Sequence, residues 1–180
     1  MKNIFLIFIL IFIFINKSFS SQEIINALQE GNKLIFIRHA YAPGTGDPNN
    51  FNLQDCSSQR NLNEGGINQS KKIGLFFKNN KIKIDKVLSS EWCRCKDTAQ
   101  IAFKNYETFD ALNSFYDEEF ISNKSTQIKD LKKFIKNWKS DKNLVLVTHF
   151  VVIREMLDVG VSSGEITITN KNLDIIGSIR

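Results

Sequence analysis

Three short apolar runs, each opening at its C-terminal end into cationic or hydroxyl-bearing residues, constrain this chain more than any other feature. Leu34 to Ile37 runs into Arg38-His39-Ala40, Val87-Leu88, at the end of a strand over Ile82 to Leu88, into Ser89-Ser90 and then Arg94, and Leu144 to Val147 into Thr148-His149. Runs of this length and character read as strands buried on both faces. Helical periodicity fills the intervals. Ile24, Ile25 and Leu28 fit a short amphipathic helix closed by Gly31, and Asn63 is placed to cap a helix over Glu64 to Asn79. That helix presents Ile67, Ser70, Ile73, Gly74 and Phe77 on one face. Trp92 to Phe103 reads as a further helix with Thr98, Ile101 and Ala102 inward. Ile128, Leu131, Phe134, Ile135 and Trp138 mark another, and Val151 to Leu157 the last. Glu165 to Ile179 reads as a hairpin turning near Lys171-Asn172. Strand and helix in alternation predict an α/β, three-layer architecture: a largely parallel central sheet with helices on both faces. Ligands of such sheets gather beyond the carboxyl ends of the strands, and both histidines of the chain stand there.

The N-terminus reads differently. Lys2 precedes twelve unbroken Ile, Leu and Phe residues, Ile4 to Ile15, and Asn16 to Ser20 ends in small residues. That is the layout of a signal peptide cut after Ser20, with an apolar core short for a membrane span. Residues 21–180 then form the single domain, and a periplasmic location is expected. Membrane contact is expected only through an uncleaved N-terminal segment. Lys2 and Lys17 leave with the signal, so the formal charge drops by two, from +5 to +3. So small an excess fits an anionic small substrate better than nucleic acid, which is not expected as a partner. Lys71, Lys72, Lys78, Lys81, Lys83 and Lys86 read as a solvated helix-and-loop surface. Cys56, Cys93 and Cys95 are an odd set for an oxidising compartment. One bridge, from Cys56 to Cys93 or to Cys95, is expected, with the third thiol buried and reduced. Cys93-Arg94-Cys95 lacks zinc-site spacing, so no metal is expected there. Ala42 to Gln59, with Pro43, Gly44, Gly46 and Pro48, is a long loop of the functional kind. Its Gly44-Thr45-Gly46 lacks the remaining elements of a phosphate-binding P-loop.

Four segments carry a family resemblance. Arg38-His39-Ala40, Leu62-Asn63-Glu64-Gly65-Gly66-Ile67-Asn68-Gln69-Ser70, Ser89-Ser90-Glu91-Trp92-Cys93-Arg94-Cys95-Lys96-Asp97-Thr98-Ala99 and Val147-Thr148-His149-Phe150-Val151-Val152-Ile153-Arg154 occur in that order. They resemble the RHG, LTxxGxxQA, SSPLxRAxQTA and VTHGGVIR segments of the histidine phosphatase superfamily, whose fold is phosphoglycerate-mutase-like. The resemblance implies His39 as nucleophile, Arg38 and Arg94 as clamps on phosphoryl oxygens, and His149 as the remaining wall of a phosphate pocket. It implies no metal and no cofactor. The chemistry is coherent with those residue types. A neutral imidazole nitrogen can attack phosphorus in line and split one slow hydrolysis into two steps. Guanidinium forks match the equatorial oxygens throughout.

The chain also departs from the pattern. Ala40 stands for the usual Gly, and Phe150 for the Gly after the second His, which makes that side of the pocket more apolar. Phe150 also excludes the acid-phosphatase branch, which has Asp there. Thr45 stands where many relatives carry a phosphate-contacting Asn. Arg60 either lines the mouth of the site or pairs with an acidic neighbour. A proton-donating Glu is expected near Leu112-Asn113-Ser114, where this chain has Ser114; of Asp117, Glu118 and Glu119 just beyond, Glu118 is the expected donor. The expectation is a monomeric, exported, metal-independent phosphomonoesterase acting through a phosphohistidine on a small-molecule or glycolipid phosphoester. The alternatives are a phosphate-binding module of the same fold without turnover, and a phosphomutase.

Overall fold

The computed structural model describes residues 21–180; the expected signal peptide, residues 1–20, lies outside the described residues. Six strands, β1 (Leu34–Arg38), β2 (Ile84–Ser89), β3 (Glu107–Thr108), β4 (Asn143–Thr148), β5 (Ile166–Thr169) and β6 (Ile175–Ile179), form one sheet in the order β3-β2-β4-β1-β5-β6. The four on one side, β3, β2, β4 and β1, are mutually parallel, while β5 pairs antiparallel with β1 and β6 antiparallel with β5. The sheet is thus mixed, with the expected parallel part at its centre and the expected hairpin at one edge.

Alternation along the inner strands sends side chains to two apolar layers. Leu34 and Phe36 of β1 with Leu144 and Leu146 of β4 pack against α4 (Lys124–Asn137) and α5 (Phe150–Leu157), through Leu131, Ile135, Val152 and Ile153. Ile35, Ile37, Val145 and Val147 point the other way, onto α1 (Ser21–Glu30), α2 (Glu64–Asn79) and α3 (Cys93–Phe103), through Leu28, Ile73, Phe77 and Ala99. β1 and β4 are apolar on both faces for this reason. Each of the larger buried side chains among these stabilises the fold by about 1.5–3 kcal/mol. Among the described residues no helix is long and apolar enough to cross a membrane.

Asn63 caps α2 as its type dictates, its side chain accepting the Gly66 N–H at 3.0 Å. Gly66 has a second duty. A Cβ there would lie 2.1 Å from the Tyr41 carbonyl oxygen, so only glycine lets α2 approach the chain leaving β1. Ile67, expected on the inner face, is instead 37% exposed. The buried stripe is Gly66, Ser70, Ile73 and Phe77, and Gly74 packs against the Ala102 backbone of α3 as expected. The short strand β3, absent from the periodicity, forms because Glu107 and Thr108 run beside Leu88 and Ser89. Two residues carry no readable pattern.

Candidate active site

The parallel strands β1, β2 and β4 end at one edge, and their register sets the site. Arg38 is level with Thr148, and Ser89 with Val147. Past those ends His39 N–H donates to Thr148 O at 2.9 Å and Ser90 N–H to Val147 O at 2.9 Å, which keeps the three turns level. Thr98 of α3 ties the helix in: its hydroxyl donates to Arg94 O at 2.7 Å and accepts the Ala40 N–H at 3.0 Å. A cavity of about 300 Å³ opens above, lined among others by Arg38, His39, Thr45, Arg60, Arg94 and His149. Segments far apart in sequence therefore converge on one pocket.

His39 is 2% exposed. Its Nδ1 lies 2.8 Å from Ala40 O. A carbonyl only accepts, so Nδ1 carries the hydrogen and Nε2 carries the lone pair. Burial, followed by the charges of Arg94, Arg60 and Arg38 and offset by the Ala40 carbonyl, pulls this imidazole down to about 3. It is neutral, and nucleophilic, throughout the physiological range. His149 stands edge to face with it, ring centroids 5.5 Å apart. Burial, then Arg94, His39, Arg60 and Arg38, push His149 well below the usual histidine range.

Three guanidinium groups crowd the same space. Arg38 donates from Nη1 to Val161 O at 2.9 Å, and its Nε is buried without a partner. Arg60 donates from Nε to Gly46 O at 2.8 Å and from Nη1 to Ala42 O. Arg94 binds Asp47 through Nη1, at 2.8 and 3.0 Å to the two carboxylate oxygens, and its buried Nε is also without a partner. Burial and the Arg94 charge lower both Arg38 and Arg60 from the ordinary arginine value. Desolvated like charges with unused N–H groups constitute a receptor for a compact anion.

Asp47 was not among the residues expected from the sequence. Its side chain and that of Arg94 are each 3% exposed. It also accepts the Trp92 indole N–H at 3.0 Å and the Arg60 backbone N–H at 3.0 Å. Burial raises its carboxyl, but the Arg94 hydrogen bond and charge, with the Arg60 and Trp92 donors, outweigh that and hold it below the ordinary aspartate value. The only mark of Asp47 in the sequence is its place in Gly46-Asp47-Pro48, inside the loop of Gly and Pro. Arg60 lines the pocket with its side chain, the first of its two expected places, and its backbone N–H separately holds Asp47.

Glu118, the expected proton donor, does not line this cavity. Glu118 is exposed, at the start of a 3-10 turn, Glu118–Asn123, and its side chain faces a separate surface depression beside Pro48 and Asn49. Asp117 lines the pocket instead. Asp117 borders both the cavity and that depression, whereas Glu118 borders only the depression. Gly46, at φ +66°, makes room for Asp117: a Cβ on Gly46 would lie 3.2 Å from Asp117 Oδ1. Burial and the charge of Asp47 raise the Asp117 carboxyl, against Arg94 and Arg60. Ser114 also lines the cavity, where the family pattern has its acid.

The cysteines settle as one bridge and one thiol. Cys56 pairs with Cys93, closing 37 positions of sequence. Cys95 is free and buried, and burial pushes its thiol up to about 12 despite the nearby Arg94. The bridge fastens the loop after β1 to the first residue of α3, next to Arg94.

A neutral histidine stands beside three guanidinium groups, two of which keep a buried Nε without a hydrogen-bond partner among the described residues, at the carboxyl edge of the parallel strands of an α/β sheet. The sequence profile of the histidine phosphatase superfamily (branch 1) matches residues 34–121. Solved structures share the fold. The protein histidine phosphatase SixA complexed with tungstate superposes with a TM-score of 0.56 at 14% identity, over 82% of this chain and 96% of that one. The phosphoglycerate mutase of Thermus thermophilus gives 0.59 at 15%, over 82% and 98%. The product of Rv3214 from Mycobacterium tuberculosis gives 0.56 at 14%, over 76% and 90%. No curated protein matches the chain in sequence. Profile, fold and the four ordered motifs together support a likeness to the histidine phosphatase superfamily, a family that fits phosphatase- or mutase-type chemistry.

Proposed function

We propose that this protein is an exported phosphomonoesterase that works without metal through a phosphohistidine on His39. The observation that carries the reading is His39 itself, with its Nδ1 hydrogen held by Ala40 O and its Nε2 lone pair left over, among three guanidinium groups. Arg38, Arg60 and Arg94 hold the phosphoryl oxygens, Thr45 adds a hydroxyl at the rim, and His149 closes the far side. Nε2 of His39 attacks phosphorus, the ester P–O bond breaks, and Asp117 gives its proton to the departing alkoxide. Water then attacks phosphorus as its proton passes to the Asp117 carboxylate, the P–Nε2 bond breaks and returns its electron pair to His39, and inorganic phosphate leaves. The raised Asp117 carboxyl supports its place in this cycle. The Cys56–Cys93 bridge and the N-terminal segment support export to an oxidising compartment. Sugar phosphates, free or on surface glycolipids, suit a pocket of this size and charge.

Purified protein should hydrolyse p-nitrophenyl phosphate in the presence of a chelator. His39→Ala should lose at least about 10⁴ in kcat, the scale seen when a nucleophile is removed. Acid quenching of wild type should trap an acid-labile phosphoryl group absent from the variant. Turnover that needs an added divalent cation would sink the mechanism. Asp117→Asn should cost about 10²–10⁴ in kcat on alkyl phosphates, and much less on p-nitrophenyl phosphate, whose leaving group needs little protonation. Equal losses on both substrates would remove Asp117 from the role.

A further inference from the structure

Behind His149, on the side away from the pocket, Ser90, Asn113 and Glu91 form a chain of hydrogen bonds whose direction can be read link by link. Asn113 Nδ2 lies 2.7 Å from Glu91 Oε2, and Asn113 Oδ1 lies 2.8 Å from the Glu91 backbone nitrogen. A carboxylate only accepts and a backbone N–H only donates, so the orientation of the Asn113 amide is settled. Ser90 Oγ is 3.1 Å from Asn113 Oδ1, an oxygen without hydrogen, and therefore donates its one hydrogen there. The Ser90 lone pairs remain for the Trp92 N–H at 3.3 Å and for His149 Nε2 at 2.8 Å. His149 must then be the donor, through Nε2–H. The Cys95 sulfur, 3.4 Å from the same nitrogen, takes at most a weak share of that hydrogen. The other ring nitrogen, Nδ1, has no hydrogen-bond partner among the described residues.

From this geometry we infer that Glu91, through Asn113 and Ser90, is a positioning residue that fixes His149 as its Nε2–H tautomer and turns a basic Nδ1 to the phosphoryl pocket. The inference rests on the phosphatase reading of the site and names a part of it that the motifs do not supply. The family's SSPL segment has Pro at the position of Glu91, and Asn113 lies outside all four motifs. The consequence is chemical. An Nδ1 lone pair facing a phosphoryl oxygen repels it, whereas an Nδ1 that has taken a proton from solvent donates to it. The arginines Arg38, Arg60 and Arg94 and the imidazole of His39 all oppose a positive charge on His149, as does its burial. The dianionic substrate in front and the carboxylate of Glu91 behind favour it. Ser90 is fully buried and Asn113 nearly so, so water does not compete for the links between them.

The test uses the two-histidine composition of the full chain, which makes both imidazoles countable by ¹⁵N NMR. In wild type the His149 signals should report protonated Nε2 and unprotonated Nδ1; an Nδ1–H tautomer overturns the inference. Glu91→Ala should mix the tautomers and lower kcat for p-nitrophenyl phosphate by about tenfold to a hundredfold, the scale for a group acting on an imidazole at one remove. KM should change little. Glu91→Gln keeps an acceptor for the Asn113 amide and should restore the tautomer, recovering most of kcat. Loss in both variants alike, with an unchanged wild-type tautomer, means a merely structural glutamate and also overturns the inference. A wild-type protein that shows the predicted tautomer yet turns over no phosphoester refutes the phosphatase reading and leaves the relay standing.

Discussion

His39 and His149 follow strands from the middle of the sheet, β1 and β4, whose apolar side chains are fully buried on both faces. Asp47, Thr45 and Arg60 belong to a long connection without regular structure apart from a 3-10 turn at Cys56–Ser58. The first wall is positioned by strand register and apolar packing, which involve dozens of residues. The second is positioned by a few polar contacts: Asp47 to Arg94, Trp92 and Arg60, the Arg60 side chain to Gly46 and Ala42, and the Cys56–Cys93 bridge. The difference teaches that the placement of His39, the proposed nucleophile, is a property of the core, while the proposed anion clamp depends on a fastened loop. Substitutions in the two regions should therefore separate stability from ligand affinity.

The largest effect is expected at Asp47. Asp47→Ala leaves the buried Arg94 without its partner and orphans the Trp92 indole, and should cost about 3–5 kcal/mol of stability. It should also weaken inhibition by inorganic phosphate, as the loop no longer holds Arg60 and Arg94 in place. Denaturant titration and a phosphate inhibition series together check this; unchanged inhibition would mean the loop contributes nothing to the clamp. Replacing both Cys56 and Cys93 by Ser comes next. Opening a loop of 37 positions should cost about 2–4 kcal/mol and raise KM for p-nitrophenyl phosphate, with kcat nearly unchanged.

The core wall supplies the contrast. Asn143, fully buried at the start of β4, accepts the Lys33 N–H through Oδ1 at 3.1 Å and donates from Nδ2 to Leu28 O at 2.7 Å and Lys83 O at 2.8 Å. Asn143→Ala leaves those backbone groups unsatisfied and should cost about 1–3 kcal/mol. Phosphate affinity should stay as in wild type; a parallel loss would erase the distinction between the walls. A further contrast is a pH dependence. His39 is pulled down to about 3 in the folded chain, against an ordinary value near 6.5. Below about pH 6.5 the unfolded chain takes a proton that the folded chain refuses, so stability falls as pH drops toward 3. A His39→Gln variant should show a shallower decline of Tm between pH 7 and pH 4, and an unchanged slope would contradict the burial assigned to His39.

Legibility in the sequence follows the same division. Strands β1 and β4 announce themselves because both faces are covered and their central residues are all apolar, and their ends bring Arg38, His39 and His149 to one cavity. Arg94 was legible through its motif. Asp47 was not, since an aspartate in a Gly- and Pro-rich loop looks like any solvated turn residue until the loop folds back over α3. That Asp117 and not Glu118 borders the cavity was not legible, because adjacent acids in an irregular stretch give no periodic signal of direction. Asn113 lies in an irregular stretch, and nothing local distinguishes it from the other asparagines. The pairing of Cys56 with Cys93 rather than Cys95 was likewise open, because both stand near the start of α3 and only the face each presents decides.

By itself the sequence determined the strand–helix order, the two-sided core and the residue types gathered at the strand ends. Apolar periodicity and chain order are local properties, and they suffice for that. Tertiary structure alone decided which carboxylates face the phosphoryl pocket, which hydrogen each imidazole keeps, and which thiol is free. Those outcomes depend on approaches of about 3 Å between segments distant in sequence, where one residue of register or one turn of loop changes the partner.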